Sequence, residues 1–148
     1  MSNQVILWGT LLIPWLSLLL MKKEEIKRYI SVGLLSTILC IIAIEAGIRF
    51  NWWVIRETTY PLSILPTYVY GFFPVLPMWL FKFTNKRFGL YLAVDTVLNI
   101  IFAYVVLPWF AQTGIIYYYA RLNAFILETI ITVILYGFQS WQEGRIDK

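Results

Sequence analysis

Residues 5–28 read VILWGTLLIPWLSLLLMKKEEIKR. An uncharged run from Val5 to Met21 stops at a dense cluster of charge. A helix needs about 20 mostly apolar residues to cross the roughly 30 Å hydrocarbon core of a bilayer. The run comes close to that length. It resembles a secretory signal, but no basic residue precedes it, and Lys22, Lys23, Lys27 and Arg28 follow it. Basic residues before the apolar run and a small-residue cleavage site after it mark a removable signal. A retained first membrane helix is therefore expected.

The rest of the chain repeats this alternation. Further apolar runs cover 29–50, 62–83, 88–110 and a last stretch from Ile115 or Arg121 to Trp141. Of the 148 residues, 60% are hydrophobic and 14% charged, with mean hydropathy +0.72. Soluble domains carry roughly 45–50% apolar and about 25% charged residues. The excess predicts an all-α, polytopic membrane helix bundle of about five transmembrane helices, forming one integral membrane domain over 1–148. The third run holds Pro66, Gly71, Pro74 and Pro77. Each interior proline removes a backbone hydrogen bond, and in lipid the freed carbonyl must be paired within the protein. The third helix is thus expected to be proline-kinked and surrounded by other helices.

Charge sets the expected orientation. Lys22, Lys23, Lys27, Arg28, Lys82, Lys86, Arg87, Arg145 and Lys148 fall on one side of a five-span arrangement, against Arg49, Arg56 and Arg121 on the other. Lys and Arg concentrate in cytoplasmic loops. The protein is therefore expected in the cell membrane as a multi-pass chain, N-terminus outside and C-terminus cytoplasmic. Trp52, Trp53, Tyr60, Trp109 and Tyr117–Tyr119 gather near the outer boundary, as interfacial aromatics do.

Polar residues inside the spans are the candidate sites. In the second helix Gly33, Ser36, Thr37, Cys40, Ala43 and Gly47 share one face, and small faces let membrane helices approach closely. Glu45 and Arg49 lie opposite that row, four apart with the acid first, the order that favours an intrahelical pair. In the fifth helix Arg121, Glu128, Thr132 and Gln139 form one polar stripe, flanked by Phe125 and Tyr136. Such a stripe must face the bundle or a wet cavity. Glu45, Arg49, Arg121 and Glu128 are expected to form one polar cluster in the outer leaflet, either a structural network or a ligand site. Asp95 and Asn99 share a face of the fourth helix nearer the cytoplasm. Asp95 is the candidate protonatable group, because a buried carboxylate without a base takes up a proton.

The succession Glu45-x-Gly47, Trp52-Trp53, Tyr60, Leu65-Pro66 with Pro74, then LPWF…TGIIYYYARLNAF (107–125) resembles an uncharacterised family of small multi-span membrane proteins from spore-forming Gram-positive bacteria. The family's acids after the "LP" and before the later proline are replaced here by Thr67 and Leu107. A fainter similarity is to membrane carotenoid cyclases, whose paired acids after a proline are missing. The resemblance implies no activity.

Absence of histidine removes the commonest metal ligand and general base. The single cysteine, Cys40, excludes an intrachain disulfide. No metal, cofactor, catalytic residue or nucleic-acid partner is expected. The expected function is that of a non-enzymatic accessory or assembly subunit. Its partners would be the lipid bilayer and other membrane proteins, in a homo- or hetero-oligomer. The alternatives are an oligomeric transporter or channel using the polar stripe of the last helix, and a protein that binds or modifies an isoprenoid or another lipid. Single cysteines placed in the Lys22–Lys27 loop and at Lys86 should stay unlabelled by an impermeant thiol reagent outside intact cells. Labelling at Lys86 would reverse the orientation.

Overall fold

The computed structural model describes residues 3–63, 65, 67–84, 87–118 and 121–144, with the side chain of Arg121 excepted. Five helices carry the chain. Helix α1 spans Asn3–Leu20, its last turn tightened to 3-10. Helix α2 is Lys23–Arg49, α3 is Tyr68–Thr84, α4 is Phe88–Thr113 and α5 is Arg121–Gln142. All but α3 are long and apolar enough to cross a membrane. Helix α3 has 17 residues, about 26 Å at 1.5 Å per residue.

Leu62, Ser63, Leu65 and Thr67 were expected to be helical and are not, Pro66 lies outside the described residues, and α3 begins at Tyr68. Thr67 explains part of this. Its buried hydroxyl donates to the Leu7 carbonyl of α1 and accepts from Thr59 Oγ1 at 3.0 Å, so this turn is held by tertiary bonds. A second departure is a short antiparallel ribbon. Strand β1 (Trp53–Ile55) pairs with β2 (Ile116–Tyr118) in the register Trp53 to Tyr118, Val54 to Tyr117 and Ile55 to Ile116. The interfacial aromatics at 52–53 and 117–118 are thus partly strand residues. They join the α2–α3 linker to the α4–α5 linker.

Helices α2, α3, α4 and α5 form a ring, with α1 packed on the outer side of α3. Close approach depends on glycine at two crossings. A Cβ at Gly71 would lie 2.0 Å from the Thr10 carbonyl oxygen of α1. One at Gly33 would lie 2.3 Å from the Pro74 carbonyl oxygen of α3. Pro74 cannot donate to the carbonyl of Tyr70, one turn earlier. Trp15 of α1 supplies the missing donor, its indole Nε1 bonding to the Tyr70 oxygen at 2.8 Å. At the ribbon end, Asn3 Nδ2 and Gln4 Nε2 both donate to the Glu57 carboxylate, at 2.6 and 3.0 Å, and fix the start of α1 to the linker. The opposite end is basic. There Arg28 of α2 pairs with Glu143, just past the end of α5, and Lys82 pairs with Glu25 across α3 and α2 at 3.1 Å.

Helix α4 is not uniform. Residues Phe102–Val106 form a π-turn, in which the Leu107 N–H reaches back to the Phe102 carbonyl. Pro108 follows directly and cannot donate to the carbonyl of Tyr104; the wider turn absorbs this break in the ladder. Such π-bulges occur often beside functional sites.

Gly71→Ala should destabilise the fold by about 1–3 kcal/mol, because the added methyl meets backbone that cannot swing away. Gly89→Ala, where a Cβ would meet nothing within 4 Å, should be neutral. Thermal unfolding in detergent distinguishes the two.

Candidate functional site

A chamber of about 150 Å³ lies inside the ring of four helices. Its wall is mainly apolar, built from Phe72, Phe73, Leu76, Pro77 and Leu80 of α3, Leu98, Ile101, Phe102 and Val106 of α4, and Ile131 and Leu135 of α5. Its polar groups are Ser36 of α2, Tyr91, Asp95 and Asn99 of α4, and Glu128 and Thr132 of α5. A water needs roughly 10–15 Å³ of such space, so the chamber has room for several waters or a small head group.

Two carboxyl groups face this space from neighbouring helices. Asp95 is held firmly. Asn99 Nδ2 donates to its Oδ2 at 2.8 Å, and Thr132 Oγ1 donates to the same oxygen at 2.6 Å. The Glu128 carbonyl oxygen lies 2.8 Å from the same hydroxyl, so the carbonyl and the Asp95 carboxyl share its single proton. Asp95 Oδ1 receives no hydrogen bond among the described residues. Tyr91 stacks on Phe81 at 4.7 Å between ring centres and donates its hydroxyl to the Thr132 carbonyl at 3.2 Å, closing the chamber toward the basic end.

Glu128 is half-buried, and among the described residues its carboxylate has neither an ion pair nor a hydrogen bond. It lies within electrostatic range of Asp95. It also lines a second, smaller cavity of about 40 Å³, beneath the ribbon, with Ile44, Trp53, Tyr68, Leu107, Ile116 and Tyr118. Phe73, Phe102 and Glu128 line both spaces. The Phe73 and Phe102 rings are 6.2 Å apart, and each packs edge-on against Tyr68. They form an aromatic neck between the two cavities.

The cluster expected of Glu45, Arg49, Arg121 and Glu128 does not assemble in that form. Glu45 and Arg49 are exposed and carry on the outward stripe of Leu34, Ile38 and Ile42 along α2. No ion pair joins either to another described residue. The reason is local: Ile44 and Gly47 form the inward face at this level and are covered by Trp53, whose indole Nε1 donates to the Ile44 carbonyl at 3.1 Å. The Arg121 side chain lies outside the described residues. Glu128 instead joins Asp95, which the sequence assigned to the opposite leaflet.

The stripe on α5 divides between two places. Glu128 and Thr132 face the chamber. Gln139 is buried at the basic end, where its Nε2 donates to Glu143 Oε1 at 2.9 Å. The positions at which the resembled family carries acids have apolar or structural surroundings here: Thr67 is tied to Leu7 and Leu107 lines the smaller cavity. Sequence reasoning missed Ser36 as a chamber residue, Tyr91, and the Phe73–Phe102 neck. Pro108 was the one available signal for the π-turn that places Phe102.

Among the described residues no group of three or more His, Cys, Asp or Glu side chains could hold a metal ion. Comparison with family models, with curated proteins and with solved structures finds no match. A mainly apolar pocket with two converging carboxyl groups can bind a cationic or hydrogen-bond-donating head whose remainder is apolar.

Thr132→Val should cost about 1–3 kcal/mol, the range for a lost hydrogen bond to a buried or charged acceptor. The loss should shrink in an Asp95→Asn background, because the two changes remove the same interaction. A double-mutant cycle read by unfolding in detergent measures it.

Proposed function

We propose that this is a multi-pass membrane protein that binds a compact, mostly apolar molecule with an amine head in the chamber between α2 and α5. One observation carries the reading: Asp95 and Glu128, on adjacent helices, face one apolar space that no described Lys or Arg lines. Intramembrane carboxyl groups are costly and mark ligand or ion pathways. A cation placed between them offsets that cost. Phe72, Phe73, Tyr91 and Phe102 add aromatic surface, which attracts cations where water is excluded. The chamber favours this reading over a purely structural accessory subunit, which would need only a filled core. It combines features of the transporter and lipid-binding alternatives.

In this reading all five helices cross the bilayer, and the ribbon end faces outward. Support comes from Lys22, Lys23, Lys27, Arg28, Lys82 and Arg87, which share the opposite end; such residues favour the cytoplasm.

The test is binding of a medium-chain primary alkylamine, against the alcohol of equal length, to protein in lipid nanodiscs. The wild type should prefer the amine at least tenfold, about 1.4 kcal/mol. Asp95→Asn and Glu128→Gln should each lose most of that preference. Equal binding of the alcohol, or full affinity in the doubly substituted protein, would refute the reading.

A further inference from the structure

The two cavities differ in what closes them. The smaller one is roofed by Ile44, Trp53, Leu107 and Ile116, all buried, with Trp53 latched to α2 by its indole bond to Ile44. The carboxyl chamber has a different boundary on one side. Phe72 of α3 and Ile101 of α4 line it and are 47% and 46% exposed. One belongs to α3 and the other to α4, so the exposed part of the chamber's lining lies where these two helices border it. The glycine-mediated contact at Gly71 draws α3 toward α1, and that at Gly33 brings α2 against α3. No glycine draws α3 and α4 together in this way, and the π-turn at Phe102–Val106 interrupts α4 where it lines the chamber.

Resting on the amine-binding reading above, we propose that the chamber is entered sideways from the hydrocarbon through an α3–α4 portal framed by Phe72 and Ile101. The ligand is then an amphiphile dissolved in the membrane, with its amine head between Asp95 and Glu128 and its chain lying out through the portal. The volume agrees: about 150 Å³ takes a head group and a few carbons and leaves the rest of a long chain outside. The apolar rim agrees as well, because Phe72 and Ile101 offer a chain contact and offer water none. A water-borne cation would need the ribbon end, where Trp53 and Ile116 close the path.

The experiment uses a long-chain primary amine with a diazirine in mid-chain, photolysed with the full-length protein in nanodiscs, and the adducts mapped by mass spectrometry. Adducts on residues 72–76 and 98–101 that disappear in Asp95→Asn/Glu128→Gln are expected. Phe72→Trp with Ile101→Trp, which narrows the portal, should slow association at least tenfold. Carboxylate-dependent adducts on Trp53, Ile116 or Tyr118, or an unchanged association rate in the narrowed variant, would overturn the portal and leave the amine site standing. Labelling that the carboxyl substitutions leave unchanged would overturn both. Trp53→Ala, which opens the roof of the smaller cavity, should leave the association rate unchanged; a large acceleration would place the route at the ribbon.

Discussion

The requirement that every backbone group find a partner away from water governs this bundle, and α3 is where it presses hardest. Two prolines and a glycine interrupt or thin that helix. The Tyr70 carbonyl that Pro74 leaves unpaired is taken by the indole of Trp15. Gly71 and Gly33 let neighbouring backbones sit against α3 at distances no side chain would allow. Unpaired backbone groups in hydrocarbon cost several kcal/mol each, so α1 is held to α3 by necessity as much as by packing. Fixing α1 and α2 onto α3 leaves α4 the less constrained wall, and the chamber lies along it.

The chamber sets a second balance. Asp95 receives two hydrogen bonds on one oxygen, while Glu128 has none among the described residues. The firmly held carboxyl sits in the ring, and the loosely held one sits at the neck shared by both cavities. Unequal support of two neighbouring acids separates a fixed anchor from an adaptable contact. Pre-organised polar groups in an apolar pocket are the usual arrangement for orienting a ligand.

Much of the architecture was legible in the sequence. Apolar run length places the helices, and the boundaries of α1, α2, α4 and α5 fall close to the runs. The demand that proline places on neighbouring helices correctly anticipates that α3 is packed among others. Depth along the bilayer was less legible. Assigning Asp95 and Glu128 to different leaflets assumed helices of equal length and level registry, whereas α4 has 26 residues and α5 has 22. Pairing Glu45 with Glu128 assumed that a charged position faces inward. At the end of α2, Gly47 and Ile44 hold the inward face, because Trp53 packs where a Gly47 side chain would stand and donates to the Ile44 carbonyl. The ribbon was invisible to periodicity, since three-residue strands carry too little pattern to separate from an aromatic belt.

The ribbon also orders events during synthesis. Strand β1 leaves the ribosome long before β2, with α3 and α4 still to follow. Until Ile116–Tyr118 arrives, Trp53 has a place on α2 but no strand beside it, and the smaller cavity has half a roof. Contacts between residues far apart in sequence form late because chain closure must precede them. Helix α4 is therefore the one whose completion delivers β2 and lets the two linkers clasp, ahead of α5. Truncation anywhere before β2 would leave a bundle open at one end, an unclasped edge available to cellular quality control.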